Sequence, residues 1–149
     1  FKITCNIEFE HHLIRKQSCS IEVVDHIFER EISSARTFGF LNEVEYMKRY
    51  GLARGGSLDN AVVIDKNDIL NEEGLRFRDE FVRHKLLDWI GNFSLLGMPI
   101  LCHIVTIKTG HAFNHAFLEK FFNNKACWQT QTLATSPDPA HKTVKSLAI

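Results

Sequence analysis

His84 and Asp88 stand four residues apart in a stretch, Arg78 to Asn92, where Val82, Leu86 and Trp89 recur at helical spacing. On a helix that spacing turns both side chains to one face, within reach of a single ion. An imidazole nitrogen and a carboxylate are donors that zinc accepts. A catalytic zinc takes three protein ligands and keeps one position open for water. Two ligands are not a site, so a third has to come from elsewhere, and the same pair also suits an ion pair on a solvated helix face. Glu80 and Asn92 extend the polar stripe at the same interval.

The elements that must position this pair are legible in outline. Lys2 to Phe9 alternates apolar and polar residues, which predicts a half-buried strand with Ile3, Cys5, Ile7 and Phe9 on one side. Val24 to Ile32 reads as a short amphipathic helix, and Ala35 to Phe40 as a compact apolar segment leading into a helix over Asn42 to Tyr50, with Gly51 where a C-terminal glycine belongs. Ala61 to Ile64 is a buried strand candidate. Ile100 to Ile107 is a β-branched run, and a helix from His111 carries Phe113, Phe117 and Phe121 at successive fours. Residues 125–149 read as an irregular tail. The expected fold is α+β, a two-layer sandwich with a β-sheet packed against α-helices on one face.

Composition excludes several classes of function. The 149 residues are 44% hydrophobic and 24% charged, enough for one core, and 18 basic residues balance 18 acidic ones, so no global field favours nucleic acid. The aromatics sit at core spacing rather than interleaved with bases, which argues against a nucleic-acid-binding domain. Cys5, Cys19, Cys102 and Cys127 form no CxxC pair and read as free thiols of a reducing compartment, the cytoplasm. No leader is evident and no apolar run approaches the roughly 20 residues of a transmembrane helix. The chain opens at Phe1 in what reads as mid-strand, which suggests a fragment. Glu10-His11-His12 gathers an acid and two histidines, but its place after the first strand matches a surface turn.

Four blocks in order carry a resemblance: Ala35-Arg36-Thr37-Phe38-Gly39-Phe40, Gly55-Gly56-Ser57-Leu58-Asp59, the run from Gly74-Leu75-Arg76-Phe77 through Asp79-Glu80-Phe81-Val82-Arg83-His84-Lys85 to Leu87-Asp88, and Gly110-His111. Together they resemble the UDP-3-O-acyl-N-acetylglucosamine deacetylase (LpxC) family over residues 1–124, its second, C-terminal domain. The resemblance implies zinc-dependent hydrolysis of the N-acetyl amide of UDP-3-O-acyl-N-acetylglucosamine in lipid A synthesis, with His84 and Asp88 as zinc ligands. It implies Thr37 at the oxyanion and His111 as the histidine that stabilises it and protonates the leaving amine. Lys85 and Lys108 would meet the diphosphate or ribose, and Phe38 would border the site. Leu41, Val44, Ala53, Leu58 and Val63 lie in segments that resemble the acyl-chain passage.

One position departs from the family pattern. Asn92 stands where an aspartate is expected to support His111, and an amide can orient the ring but cannot set a negative charge against the imidazolium, which implies slower turnover. The family's first domain, which supplies the remaining zinc histidine and a general-base glutamate, has no counterpart in this chain. The chain alone is therefore expected to be inactive, either as half of a two-domain enzyme or as a truncated or degenerate relative kept as a binding module.

Overall fold

The computed structural model describes residues 1–133 and 144–148. Strand β1 (Lys2–Glu8) is central to the first sheet, antiparallel to β2 (Lys16–Glu22) and parallel to β6 (His103–Ile107). The alternation of β1 does what its pattern predicts: Ile3, Cys5 and Ile7 are buried while Lys2, Thr4, Asn6 and Glu8 point away. Helix α3 (Glu80–Ser94) covers the inner face, burying Phe81, Val82, Leu86, Trp89 and Phe93 against it. At about 1.5 to 3 kcal/mol for each large apolar side chain, that face anchors the helix. Two layers of sheet and helix result, as expected of an α+β sandwich.

Between these elements lie α1 (Asp25–Ile27), continued by a π-turn over Phe28–Ile32, and a second, parallel pair of strands. In that pair β3 (Thr37–Phe40) meets β4 (Ala61–Ile64), with α2 (Leu41–Arg49) in the connection. Helix α2 ends as its glycine predicts. Gly51, at φ +72°, donates to the Lys48 carbonyl at 3.0 Å, and Leu52 donates to the Met47 carbonyl at 2.9 Å, the two bonds of a Schellman turn. The short β5 (Ile100–Leu101) precedes β6, and α4 (His111–Asn123) packs on α3 through Phe117, Trp89 and Phe93.

Two features differ from the sequence reading. The strand β2 went unread because its inward positions, Gln17, Cys19 and Ile21, present a weak apolar signal; it exists because β1 supplies a partner along its whole length. Beyond Asn124, where an irregular tail is expected, a one-turn 3₁₀ segment (Lys125–Cys127) leads to β7 (Gln129–Leu133), antiparallel to β8 (Val144–Ala148), which also runs parallel to β5. Residues 134–143 and 149 of that tail lie outside the described residues. The sequence Gln129-Thr130-Gln131-Thr132 shows no apolar alternation, so only pairing across the sheet reveals the strand. All four cysteines are free thiols. Among the described residues, no helix is long and apolar enough to cross a membrane.

Candidate active site

Helix α3 carries the site on the flank beside its buried face. His84 Nδ1 lies 3.2 Å from the backbone carbonyl of Ala35, in the turn before β3. A carbonyl only accepts, so this contact puts the proton on Nδ1 and leaves the lone pair on Nε2. Nε2 in turn lies 3.3 Å from Asp88 Oδ1. Burial holds the His84 pKa below its usual value, outweighing the opposing pull of Asp88, which favours the neutral form of the imidazole. The Nε2 lone pair and a carboxylate oxygen thus face one another, two donors of the kind a divalent cation accepts.

The other oxygen of Asp88 meets the rest of the cluster. Lys85 Nζ donates to Oδ2 at 3.1 Å, and His111 Nε2 lies 3.8 Å from the same atom. His111 is the first residue of α4, after Gly110, and its side chain is 75% exposed. Its approach to Asp88 depends on α3 and the β6–α4 connection being locked together. Trp89 does this, since its buried indole Nε1 donates to Thr109 Oγ1 at 2.8 Å. Phe38 packs edge-on to His84, 6.4 Å between centroids, with the Lys85 ammonium 5.5 Å from its own centroid.

Next to this cluster is an apolar cavity of about 210 Å³ between α2 and the β3–β4 pair. Thr37 and Phe38 line it, as do Val44, Ala53, Leu58 and Val63; Leu41 does not, facing a separate recess beside His11. Asn71, 3% exposed, shapes the rim. Its amide donates to the carbonyls of Leu58 at 2.7 Å and Ala61 at 2.8 Å, while its Oδ1 accepts from Val63 N at 3.0 Å. Arg76 fastens the same loop through the carbonyls of Asp59 and Ser34.

The remaining candidates make their side-chain contacts with groups other than the side chains of the cluster. Lys108, at φ +51°, pairs with Glu8 Oε2 at 2.6 Å rather than reaching toward Asp88. Asn92 donates to the Asp88 backbone carbonyl at 2.7 Å, and no hydrogen bond joins it to His111 among the described residues. His11 and His12 stack in the β1–β2 turn. Among the described residues no cluster of three His, Cys, Asp or Glu side chains is arranged to hold a metal, so the chain offers the pair His84 and Asp88.

Sequence reasoning missed what holds this site in place. The spacing groups Glu80 with His84 and Asp88 on a polar stripe, yet its side chain is fully buried. It accepts from Arg36 N at 3.0 Å, Arg36 Nε at 2.9 Å, Arg36 Nη2 at 3.1 Å and Arg76 N at 2.6 Å. Arg36 also bonds the Gly74 carbonyl and Glu73. Burial alone would raise the Glu80 pKa, but these donors together hold it below the ordinary value. The spacing of four does put Glu80 on the His84 face; its side chain is simply covered by Arg36, just before β3, and by the 73–76 loop. Residue 36 follows Ala35, so this buried pair fixes the carbonyl that orients His84.

Comparison with known proteins now adds to the geometry. The family model described as UDP-3-O-acyl N-acetylglycosamine deacetylase matches residues 1–123. A UDP-3-O-acyl-N-acetylglucosamine deacetylase of Myxococcus xanthus is 54% identical over 129 residues, 87% of this chain and 41% of that protein. Proteins of the same name from Oleidesulfovibrio alaskensis and Anaeromyxobacter dehalogenans are 56% and 44% identical, covering 78% and 100% of this chain but 38% and 49% of their own lengths. The chain thus spans about half the length of the curated relatives it matches.

Proposed function

This chain belongs to the UDP-3-O-acyl N-acetylglycosamine deacetylase family, and on that premise we propose that it contributes one half of an active site that hydrolyses the N-acetyl amide of UDP-3-O-acyl-N-acetylglucosamine in lipid A synthesis. The observation that carries this reading is the Asp88 carboxylate, with Oδ1 turned to the His84 lone pair and Oδ2 turned to Lys85 and His111. His84 and Asp88 would hold zinc, a third ligand and the general base coming from the first domain of the same enzyme. Zinc there would polarise the amide carbonyl and acidify a water.

The chain's own residues carry the remaining tasks. Thr37, on the cavity wall, donates its hydroxyl to the oxyanion as the carbonyl becomes tetrahedral. His111, exposed and tethered near Asp88, stabilises that charge and gives a proton to the amine as acetate leaves. Lys85 keeps a positive charge at the cluster for the anionic part of the substrate, and Lys108 reaches the diphosphate or ribose by leaving Glu8. The cavity from Phe38 to Leu58 takes the acyl chain, whose burial excludes water beside the scissile amide. Acetate release from the UDP-sugar, followed with the chain and a first domain of the family together, tests the reading. Loss of activity in both His84→Ala and Asp88→Ala is expected, and activity that survives both substitutions overturns it.

A further inference from the structure

Residues 46–58 close α2 and run round the mouth of the apolar cavity. They include three basic residues, Lys48, Arg49 and Arg54, and no acidic one, while Glu43 and Glu45 precede the segment on α2 and Asp59 follows it. On the same segment Tyr46, Tyr50, Leu52 and Leu58 are 61%, 68%, 57% and 44% exposed. Tyr46 and Tyr50 lie one turn apart and pack at 4.7 Å, with Arg49 on that helix face. The Schellman turn at Gly51 leaves Leu52 in solvent, and Arg54 Nε is pinned to the Gly51 carbonyl at 2.7 Å, fixing its guanidinium beside the turn. Met47, Lys48, Ala53 and Leu58 belong both to this segment and to the cavity wall.

Cations, tyrosines and leucines gathered on one exposed rim match the interface of an anionic bilayer: the bases meet lipid phosphates, the amphipathic rings sit at headgroup level, and the leucines enter the acyl boundary. We propose that this rim docks on the surface of an anionic phospholipid bilayer, reversibly and without spanning it, with the cavity mouth toward the lipid. The acyl-binding role of the cavity gives the docking a purpose, but the docking itself is read by binding alone, without substrate, zinc or a first domain, so its failure is separable from failure of the hydrolytic reading.

The test is sedimentation of the full 149-residue chain with phosphatidylcholine vesicles, with and without phosphatidylglycerol. Binding is expected only with phosphatidylglycerol and is weakened by salt. A basic residue at such a surface changes partition on the order of fivefold, so Arg49→Gln lowers it by about that factor, and Tyr46→Ser with Tyr50→Ser lowers it further. All three positions are solvent-facing, which spares the fold. Orientation is read with Leu52→Trp and, on β6 away from this rim, Val105→Trp, the wild-type emission being subtracted. The emission at 52 shifts blue on adding anionic vesicles and that at 105 does not. Equal binding to neutral vesicles, no binding, or a shift at 105 without one at 52 overturns the proposal.

Discussion

Removing the Glu80 carboxylate tests how the site is held. In Glu80→Ala the Arg36 guanidinium, 1% exposed, keeps Glu73 and the Gly74 carbonyl but loses its two bonds to the buried carboxylate. The backbone N–H groups of Arg36 and Arg76 lose their acceptor as well. Breaking a buried pair by deleting one partner costs about 3 to 5 kcal/mol. Each stranded N–H carries a penalty of about 1 to 3 kcal/mol, which overlaps with that figure rather than adding to it. Against a typical total of about 5 to 15 kcal/mol the loss is large, so Glu80→Gln, which keeps one accepting oxygen but loses the charge and turns an NH2 donor toward the donors of the other, is measured beside it and is expected to fall between wild type and Ala. Urea unfolding gives both values. The sign with pH follows from the lowered Glu80 pKa: the contribution is full above the ordinary value of 4.5 and is lost as pH falls through the folded value, a loss that Glu80→Gln lacks. A Glu80→Ala cost below about 1 kcal/mol would refute the reasoning, as would an unchanged acid limb in Glu80→Gln.

Two further outcomes follow from the geometry. Asn71→Ala releases Leu58 and Ala61 from their shared donor and leaves Val63 N without an acceptor. It should cost about 1 to 3 kcal/mol in thermal or urea unfolding and raise KM more for long-chain than for short-chain substrates, whereas equal KM changes would mean the clamp does not shape the cavity. Trp89→Phe keeps the stacking on Phe93 but loses the bond to Thr109. About 1 kcal/mol of stability is expected to go, with kcat falling more than KM rises as His111 loses its station; a kcat equal to wild type would show that Trp89 does not position His111.

Much of this arrangement was legible because local pattern and tertiary role agree. Ala61–Ile64 is a strand within the bounds its apolar run suggests, Gly51 takes the left-handed turn a helix end wants, and α3 buries the Val82, Leu86 and Trp89 face that its period marks. The pairing of His84 with Asp88 was readable for the same reason, as a helix fixes side chains four apart. What stayed hidden depends on distant chain. Nothing in the period of α3 says that Glu80 is covered by a segment 44 residues away, or that Asn71 holds a loop across β4. At position 92 the sequence shows only that Asn stands where the resemblance implies an aspartate, not what the amide bonds. Its amide instead closes a bond within its own helix, a local choice open to Asn and closed to a carboxylate.

The measurement that bears most directly on the central claim is zinc content after dialysis, for the chain alone and for its mixture with a first domain of the family, in wild type and His84→Ala. The account predicts little zinc on the chain alone, since two donors make an incomplete set, and about one zinc per chain in the mixture. That zinc should be lost with His84→Ala and accompanied by acetate release from the UDP-sugar. A mixture that stays metal-free and inactive, or that keeps its zinc without His84, contradicts it.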